Sequence, residues 1–124
     1  QTLMLRHIVL LQIGDQVGAA EIASLIDELA AVAFEIPGIV AFAGGAKTQG
    51  SGLSQGFTHA LTIDFIDETA RDAYLSGLDK DDVGRRISEM TVGGLGGVLA
   101  MNIDISDMKF PDDMPPKKLQ AKWV

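Results

Sequence analysis

Cysteine is absent from this chain of 124 residues, which excludes disulfide bonds, thiolate metal sites and cysteine nucleophiles. No apolar run approaches the roughly 20 residues that a membrane-spanning helix needs. The apolar segment that follows Arg6 is interrupted by Gln12, Gly14 and Asp15, so we expect no secretory leader. Together these absences favour a cytoplasmic protein that has no membrane partner.

Positive charge is also scarce: 10 Lys and Arg residues stand against 17 Asp and Glu residues, and the net charge is −7. Surfaces that bind nucleic acids or anionic membranes need clustered Lys and Arg, so neither is expected as a partner. Residues 109–124 are the exception, with four lysines against two aspartates. We expect this basic tail to lie on the acidic body or on a partner subunit, with Trp123 packed there; a disordered tail is the alternative.

Length and composition predict one globular domain. A chain of 124 residues can form one core and is too short for two ordinary domains. Its residues are 47% apolar and 22% charged, which is typical of globular rather than disordered proteins. We place the domain at residues 4–106 and an extended tail at 107–124, because Pro111, Pro115 and Pro116 disfavour a helix there.

Four segments have the alternation of β-strands. The first, Met4–Ile13, has one face that is apolar apart from His7, and three of the five residues on its other face are apolar too. A strand with one wet face should alternate cleanly, so both faces of this strand are expected to be covered. The other strands are predicted at Ile39–Gly44, Phe57–Phe65 and Val98–Ile105.

Apolar residues at helical spacing predict three helical segments. They are Val17–Phe34, Asp67–Leu75 and Asp81–Met90. Gly18 and Glu21 have the spacing of a helix start, and Asp67 can cap the second helix. We expect Ser76-Gly77 to interrupt the second helix before the third begins.

The element order β-α-β-β-α-β predicts an α+β domain of the ferredoxin-like type, a four-stranded antiparallel sheet with its helices on one face. The other face is predicted to carry Ile8, Leu10, Ala60 and Val98, which is too apolar a set to remain in water. Burying one Leu- or Ile-sized side chain contributes about 1.5–3 kcal/mol, so two such sheets should pack together. We therefore expect a homodimer that forms by sheet-to-sheet packing.

A family resemblance rests on three short segments and on Tyr74. The segments are Leu5–Leu10 (Leu-Arg-His-Ile-Val-Leu), Ile36–Ile39 (Ile-Pro-Gly-Ile) and Gly56–Leu61 (Gly-Phe-Thr-His-Ala-Leu). In this order and spacing they resemble the stress-responsive A/B barrel (Dabb) family, over roughly Met4–Ile105. The resemblance implies ferredoxin-like protomers that pair into a dimeric α/β barrel. Family members include stress-induced proteins and a plant polyketide cyclase that closes a linear polyketide by aldol condensation.

The resemblance also implies site residues. His7 and His59 match histidines that line the cyclase pocket, and Tyr74 matches the catalytic tyrosine. The matching pocket-wall positions are Leu25, Leu29 and Leu61. Where the cyclases have a His-Pro-x-His run whose last histidine is the general base, this chain has Gly77-Leu78-Asp79-Lys80. Lys80 is expected to be protonated near neutral pH, so cyclase activity is not transferred to this chain.

His7 and His59 lie on otherwise apolar faces of the first and third strands, which are adjacent at the centre of a ferredoxin-like sheet. The two imidazoles are therefore expected to approach one another. In one interpretation they are pocket histidines that offer a hydrogen-bond donor, an acceptor or a base near pH 7. In the other they are structural residues that bond to the backbone or to Tyr74.

Metal and phosphate sites are not predicted, and no cofactor is expected. Two histidines need at least one further donor for a catalytic zinc or iron site, and the strand pattern places Asp64 and Asp104 on the opposite side of the sheet. The glycine-rich segments Gly44–Gly56 and Gly93–Gly97 are predicted loops, because neither carries a phosphate-binding motif that leads into a helix.

The function predicted from these observations is the binding of a small apolar or aromatic ligand in a pocket between the sheet and the helices. The pocket residues are His7, Val9, Leu25, Leu29, Phe42, His59, Leu61 and Tyr74. The first alternative is a cofactor-free enzyme of the dimeric α/β barrel class, monooxygenase-like or cyclase-like, with His59 or His7 as base and Tyr74 as acid. The second alternative is a structural stress protein that has a filled interior and binds no ligand.

Overall fold

The computed structural model describes residues 4–50, 52–80 and 82–112. The elements follow the order β1 (Leu5–Leu11), α1 (Ala19–Phe34), β2 (Ile39–Ala46), β3 (His59–Phe65), α2 (Glu68–Lys80), α3 (Val83–Met90) and β4 (Val98–Asp104). Within these ranges no helix is long and apolar enough to cross a membrane. Trp123 and most of the tail lie outside the described residues, so the packing of Trp123 stays a prediction.

The four strands form one antiparallel sheet in the order β2-β3-β1-β4. β1 lies between β3 and β4, with Leu5 opposite Phe65 and Leu11 opposite His59. β2 and β4 are the edge strands. The predicted α+β class and ferredoxin-like arrangement are confirmed, and α2 and α3 together fill the place of the second helix.

Both long helices begin close to where the sequence predicts. At the start of α1 the Glu21 carboxylate accepts a hydrogen bond from the Gly18 N–H at 3.2 Å. At the start of α2 the Asp67 carboxylate accepts one from the Ala70 N–H at 2.9 Å. The first turn of a helix leaves backbone donors without helical partners, and these carboxylates supply acceptors there.

The predicted break of the second helix at Ser76-Gly77 is wrong, because α2 continues to Lys80. Gly77 allows close packing instead: a Cβ atom at this position would lie 3.0 Å from Cγ1 of Val32 on α1. Glycine in a helix interior costs about 1 kcal/mol relative to alanine. The close contact between α2 and α1 gives the physical reason for accepting that cost.

Strand β2 extends further than predicted, to Ala46, and β3 begins later, at His59. The glycines in β2 do not end the strand, because Gly44 stays paired with Leu61 and Ala46 with His59. The predicted loop Gly93–Gly97 contains a 3₁₀ turn that connects α3 to β4.

The helices cover one face of the sheet, and the core lies between them. Leu61, Ile63 and Phe65 of β3 project into it and pack in one buried cluster with Leu29 of α1 and Tyr74 of α2. The core is therefore built from alternate residues of β3 and the inward stripes of the helices.

The uncovered face of the sheet, called the open face below, is apolar over most of its area. It carries Ile8 and Leu10 from β1, Ala60 from β3, and Leu99, Met101 and Ile103 from β4. The prediction that Val98 lies on this face is wrong, because Val98 pairs with Leu11 on the helix-covered side. The residues of β4 that project from the open face therefore begin at Leu99 and not at Val98. Three large apolar side chains of β4 lie on this face, where the prediction placed one.

One ion pair also lies on the open face. Arg6 stands opposite Asp64, and its Nε and Nη2 donate to Oδ1 and Oδ2 of the carboxylate at 2.7 and 2.9 Å. This two-point geometry is the strong form of an Arg–carboxylate contact, and Asp64 raises the pKa of Arg6. The two charges satisfy each other within one subunit.

Candidate functional site

His7 lies on the helix-covered side of β1 and is only 6% exposed. The register places Asn102 of the edge strand β4 directly opposite, and Asn102 Oδ1 is 3.0 Å from His7 Nδ1. Burial lowers the pKa of His7, the hydrogen bond to Asn102 raises it in part, and the positive charge of Arg71 lowers it. The imidazole is therefore neutral at pH 7.

Tyr74 reaches the same place from α2 and is 1% exposed. Its ring centroid is 6.1 Å from that of His7, in an edge-to-face arrangement, and 5.7 Å from that of Phe65. Burial raises the pKa of Tyr74, so the phenol keeps its proton at neutral pH. No hydrogen bond joins its hydroxyl to any residue that the structure describes.

His59 is not part of this group, and the prediction that the two imidazoles approach one another is wrong. His59 stands opposite Leu11, whereas His7 stands opposite Ile63, four positions along the strand pair. At roughly 3.3 Å per residue the two histidines are about 13 Å apart along the sheet. β1 and β3 are adjacent as predicted, but their antiparallel register places the two histidines at different positions along the strands.

His59 is instead held by Thr58, whose Oγ1 lies 2.8 Å from His59 Nδ1. The Thr58 hydroxyl also accepts from the Ile13 N–H at 3.0 Å and lies 3.1 Å from the Leu11 carbonyl oxygen. Its one proton can go to Leu11 or to His59, so this contact is compatible with either tautomer of His59. This arrangement fits a structural contact at the end of β3.

The other predicted pocket residues lie on the helix-covered side of the sheet. Leu25, Leu29 and Leu61 belong to the same buried cluster as Tyr74, and Val9 and Phe42 pack against it. Side chains fill this interior closely: Ile63 and Phe65 retain no exposure at all. The structure thus gathers most of the predicted residues into a packed core.

Several grooves indent the surface of the described residues, and two of them include predicted pocket residues. One of about 360 Å³ is a groove between α1 and α3, lined by Ala20, Glu21, Ser24, Leu25, Glu28, Arg86 and Met90. Another of about 420 Å³ lies at the end of the open face, among residues that include Leu10, Phe57, His59 and Leu99. Leu25 is shared by the first groove and the buried cluster, so that groove borders the Tyr74 region.

An ion pair crosses the groove between α1 and α3. Arg86 of α3 donates through Nη2 to the Glu28 carboxylate of α1. Its Nε is buried and has no hydrogen-bond partner among the described residues. The sequence alone does not predict this ion pair, because Glu28 and Arg86 are far apart in the chain and each is typical of an exposed helix residue.

Lys80 and the acidic residues supply no further chemistry beside His7. Lys80 is exposed at the end of α2. The prediction that Asp104 lies on the opposite side from the histidines is wrong, because Asp104 pairs with Leu5 on the helix-covered side; it is exposed and accepts from the Ser106 N–H. Asp64 is on the open face, as predicted, and the described ranges contain no group of three or more residues able to hold a metal ion.

Acidification is expected to destabilise the protein through His7. Its folded pKa lies below the unfolded value of about 6.5, so the unfolded chain binds a proton that the folded chain does not. This stability is present above pH 6.5, roughly, and is lost as the pH falls through the folded pKa. In urea titrations at pH 7 and pH 5, His7→Leu should lose less free energy of unfolding than the wild type; equal losses would contradict the prediction.

Comparison with known families decides what kind of chain this is. Residues 5–93 match the model of the Stress Responsive A/B Barrel Domain. The chain belongs to this family. The family match confirms the resemblance carried by the His7 and His59 segments. No curated protein matches the A/B barrel chain by sequence.

Several solved structures are similar in fold to this A/B barrel chain. A dimeric ferredoxin-like protein of unknown function from Jannaschia sp. CCS1 is 25% identical, with a TM-score of 0.66 over 82% of this chain and 98% of that chain. A hydroxynitrile lyase from Passiflora edulis is 18% identical, with a TM-score of 0.68 over 90% and 100% of the two chains. SnoaB, a cofactor-independent oxygenase from Streptomyces nogalater, is 11% identical, with a TM-score of 0.67 over 88% and 98%.

Proposed function

We propose that this A/B barrel protein is a cytoplasmic homodimer that binds a small, uncharged, apolar or aromatic ligand beside Tyr74 and His7. The observation that carries the proposal is the pairing of Tyr74 with His7: both side chains lie in the apolar core with their rings edge to face, and the Tyr74 hydroxyl makes no hydrogen bond to a described residue. The Tyr74 hydroxyl is not a fully buried atom that lacks a partner; among the described residues Arg86 Nε is the one such atom. An unbonded hydroxyl at the edge of the core is available to a ligand, and one hydrogen bond typically contributes about 0.5–1.5 kcal/mol.

The electrostatics of the site favour a neutral ligand. His7 is uncharged at pH 7 and Tyr74 retains its proton, so the two polar groups present a hydrogen-bonding pair without net charge. The walls are the aliphatic and aromatic side chains of the core, among them Leu29 and Phe65. A charged ligand would lose its hydration there without an opposite charge to compensate.

Access to this site is proposed from the groove between α1 and α3. Leu25 and Met90 form apolar walls of the groove, and both also contact the buried cluster around Tyr74. The Arg86–Glu28 ion pair bridges the two helices across the groove. Movement of α3 relative to α1 would widen the same route, which is how a packed core can admit a ligand.

The dimer is proposed to form through the open face. Its apolar side chains, such as Leu99 and Met101, are among the most exposed large hydrophobic residues of the sheet. The Arg6–Asp64 pair needs no charge from a partner, so it does not oppose burial of the face. The related protein from Jannaschia sp. CCS1 is described as dimeric.

A cofactor-free enzyme is the second candidate. The observation that favours it is the neutral imidazole of His7 beside a protonated phenol, a combination that can accept and donate protons. Two proteins with this fold are a hydroxynitrile lyase and a cofactor-independent oxygenase. His59 is the less favoured base, because Thr58 holds it about 13 Å away along the sheet.

Native mass spectrometry with a panel of phenolic, quinone and polyketide-like compounds tests the proposal. A dimer that retains one compound per subunit is the expected result. A dimer that retains none of the panel would favour the structural stress protein with a filled interior. Chemical conversion of a bound compound, lost in His7→Leu, would favour the enzyme.

Tyr74→Phe separates a ligand-binding hydroxyl from a structural one. Because no protein hydrogen bond is lost, the free energy of unfolding should stay within about 1 kcal/mol of the wild type, while ligand affinity falls roughly tenfold or more. Thr91→Val is the matched control, because the Thr91 hydroxyl contacts the carbonyls of Ile87 and Gly94 at 3.0 and 2.6 Å. That change should cost about 1–3 kcal/mol in urea titrations.

Equal destabilisation by the two substitutions would show that Tyr74 has a structural hydrogen bond. A stable Tyr74→Phe protein that keeps full affinity for the panel compounds would place the ligand elsewhere in the molecule.

A further inference from the structure

We propose that Asn102 is a positioning residue that fixes His7 in the tautomer with its proton on Nδ1, leaving Nε2 as a bare hydrogen-bond acceptor for a ligand. The inference deepens the proposed function and rests on it where it concerns the ligand. It specifies that the ligand must donate a hydrogen bond to His7, and it assigns a role to a residue of the outermost strand.

The geometry of the pair carries the tautomer. Asn102 and His7 are directly opposed in the β1–β4 register, and Asn102 Oδ1 lies 3.0 Å from His7 Nδ1. An amide oxygen has lone pairs and no proton, so it can only accept. A hydrogen bond at this distance therefore requires the proton on Nδ1, and a neutral imidazole then has none on Nε2.

The surroundings leave Nε2 to a ligand. Among the described residues, His7 makes one side-chain hydrogen bond, which it donates to Asn102 Oδ1, and the ring of Tyr74 contacts the imidazole edge to face without a hydrogen bond. The site then offers one acceptor, His7 Nε2, and one group that can donate, the Tyr74 hydroxyl. A ligand hydroxyl complements both, because it donates one hydrogen bond and accepts another.

The position of Asn102 makes this role specific. On the helix-covered side of β4 it lies between Ala100, which has no polar side-chain atoms, and Asp104, which accepts from the Ser106 N–H. A carboxylate opposite His7 would also accept from Nδ1, but it would bring a charge into the site. The amide provides the acceptor and keeps the site neutral.

Nitrogen-15 NMR of the imidazoles tests the tautomer in the ligand-free protein. His59→Gln assigns the signals, since the chain has two histidines. We expect His7 to show a protonated Nδ1 and an unprotonated Nε2 at pH 7.5. Asn102→Leu should shift the population towards the Nε2–H tautomer, whereas Asn102→Asp, which keeps an acceptor, should preserve Nδ1–H.

Met101→Leu is the matched control, because it changes the neighbouring residue on the opposite face of the same strand. It should leave the His7 signals unchanged. A wild-type His7 protonated on Nε2, or an unchanged tautomer in Asn102→Leu, would overturn the inference whatever ligands the protein binds.

Phenol and anisole form a matched pair of probes for the ligand, since anisole lacks the hydroxyl proton. Phenol is expected to bind roughly tenfold more tightly than anisole in the wild type, and this preference should shrink in Asn102→Leu and persist in Asn102→Asp. Equal affinity for both probes would overturn the requirement for a donor. The expected tautomer with no binding of either probe would contradict the proposed function and the ligand requirement, while the positioning role of Asn102 would stand on the NMR result.

Discussion

Replacing Met101 with lysine is expected to convert the protein from a dimer into a monomer. Met101 lies on the open face opposite Ile8, between Leu99 and Ile103, and is 50% exposed in the single subunit. A partner sheet would bury this side chain at the middle of β4. A lysine there would have to leave water without a carboxylate to receive it, which costs several kcal/mol in each subunit.

Leu75→Lys is the matched control for this change. Leu75 is also an exposed leucine-sized residue, but it lies on α2, on the other side of the molecule from the open face. Light scattering at micromolar concentration should report a dimer for the wild type and Leu75→Lys and a monomer for Met101→Lys. A monomeric wild type, or a Met101→Lys dimer as stable as the control, would contradict the proposal that the dimer forms through the open face.

Phe65→Ala is expected to lower the free energy of unfolding by about 3–5 kcal/mol, which is a large part of the 5–15 kcal/mol typical of a domain. Phe65 is fully buried, packs against Tyr74, and is paired with Leu5 on one side and Ile39 on the other. Truncation would leave a cavity where the sheet, α2 and the candidate site meet. The neighbours are held by strand pairing and would not collapse into it.

Phe34→Ala provides the comparison, because the same atoms are removed from a side chain that is 63% exposed. Its ring contacts Phe42 at 6.3 Å between centroids, so a loss of about 1 kcal/mol is expected. Urea titrations should be run at one protein concentration, because a dimer is more stable at higher concentration. Similar losses for the two variants would mean that the core is not centred on Phe65.

Alternation and helical spacing were sufficient to predict the fold. The apolar faces of β1 and β3, together with the caps at Glu21 and Asp67, are local patterns, and local patterns are written directly in the sequence. Gly77 shows the limit of such patterns. A glycine that permits two helices to touch has the same appearance in a sequence as a glycine that ends one.

The candidate site was harder to predict, because it depends on register. His7 was visible as an imidazole on an apolar face, but its partner could be found only by pairing β1 with β4, which brings Asn102 opposite. The same register separates His59 from His7 and moves Val98 off the open face. Single-strand patterns give the side of each residue, and only the pairing between strands gives its neighbours.

Asn102 lies on an edge strand, and this position makes the tautomer of His7 the most vulnerable property of the site. Within the described part of the chain, β4 is bonded to the sheet along one side only, through β1. Edge segments open locally at a lower free energy than the whole domain unfolds. Fraying of β4 would therefore switch the hydrogen-bonding polarity of a buried imidazole while β3, α2 and Tyr74 stay folded, so recognition would fail at milder conditions than the fold itself.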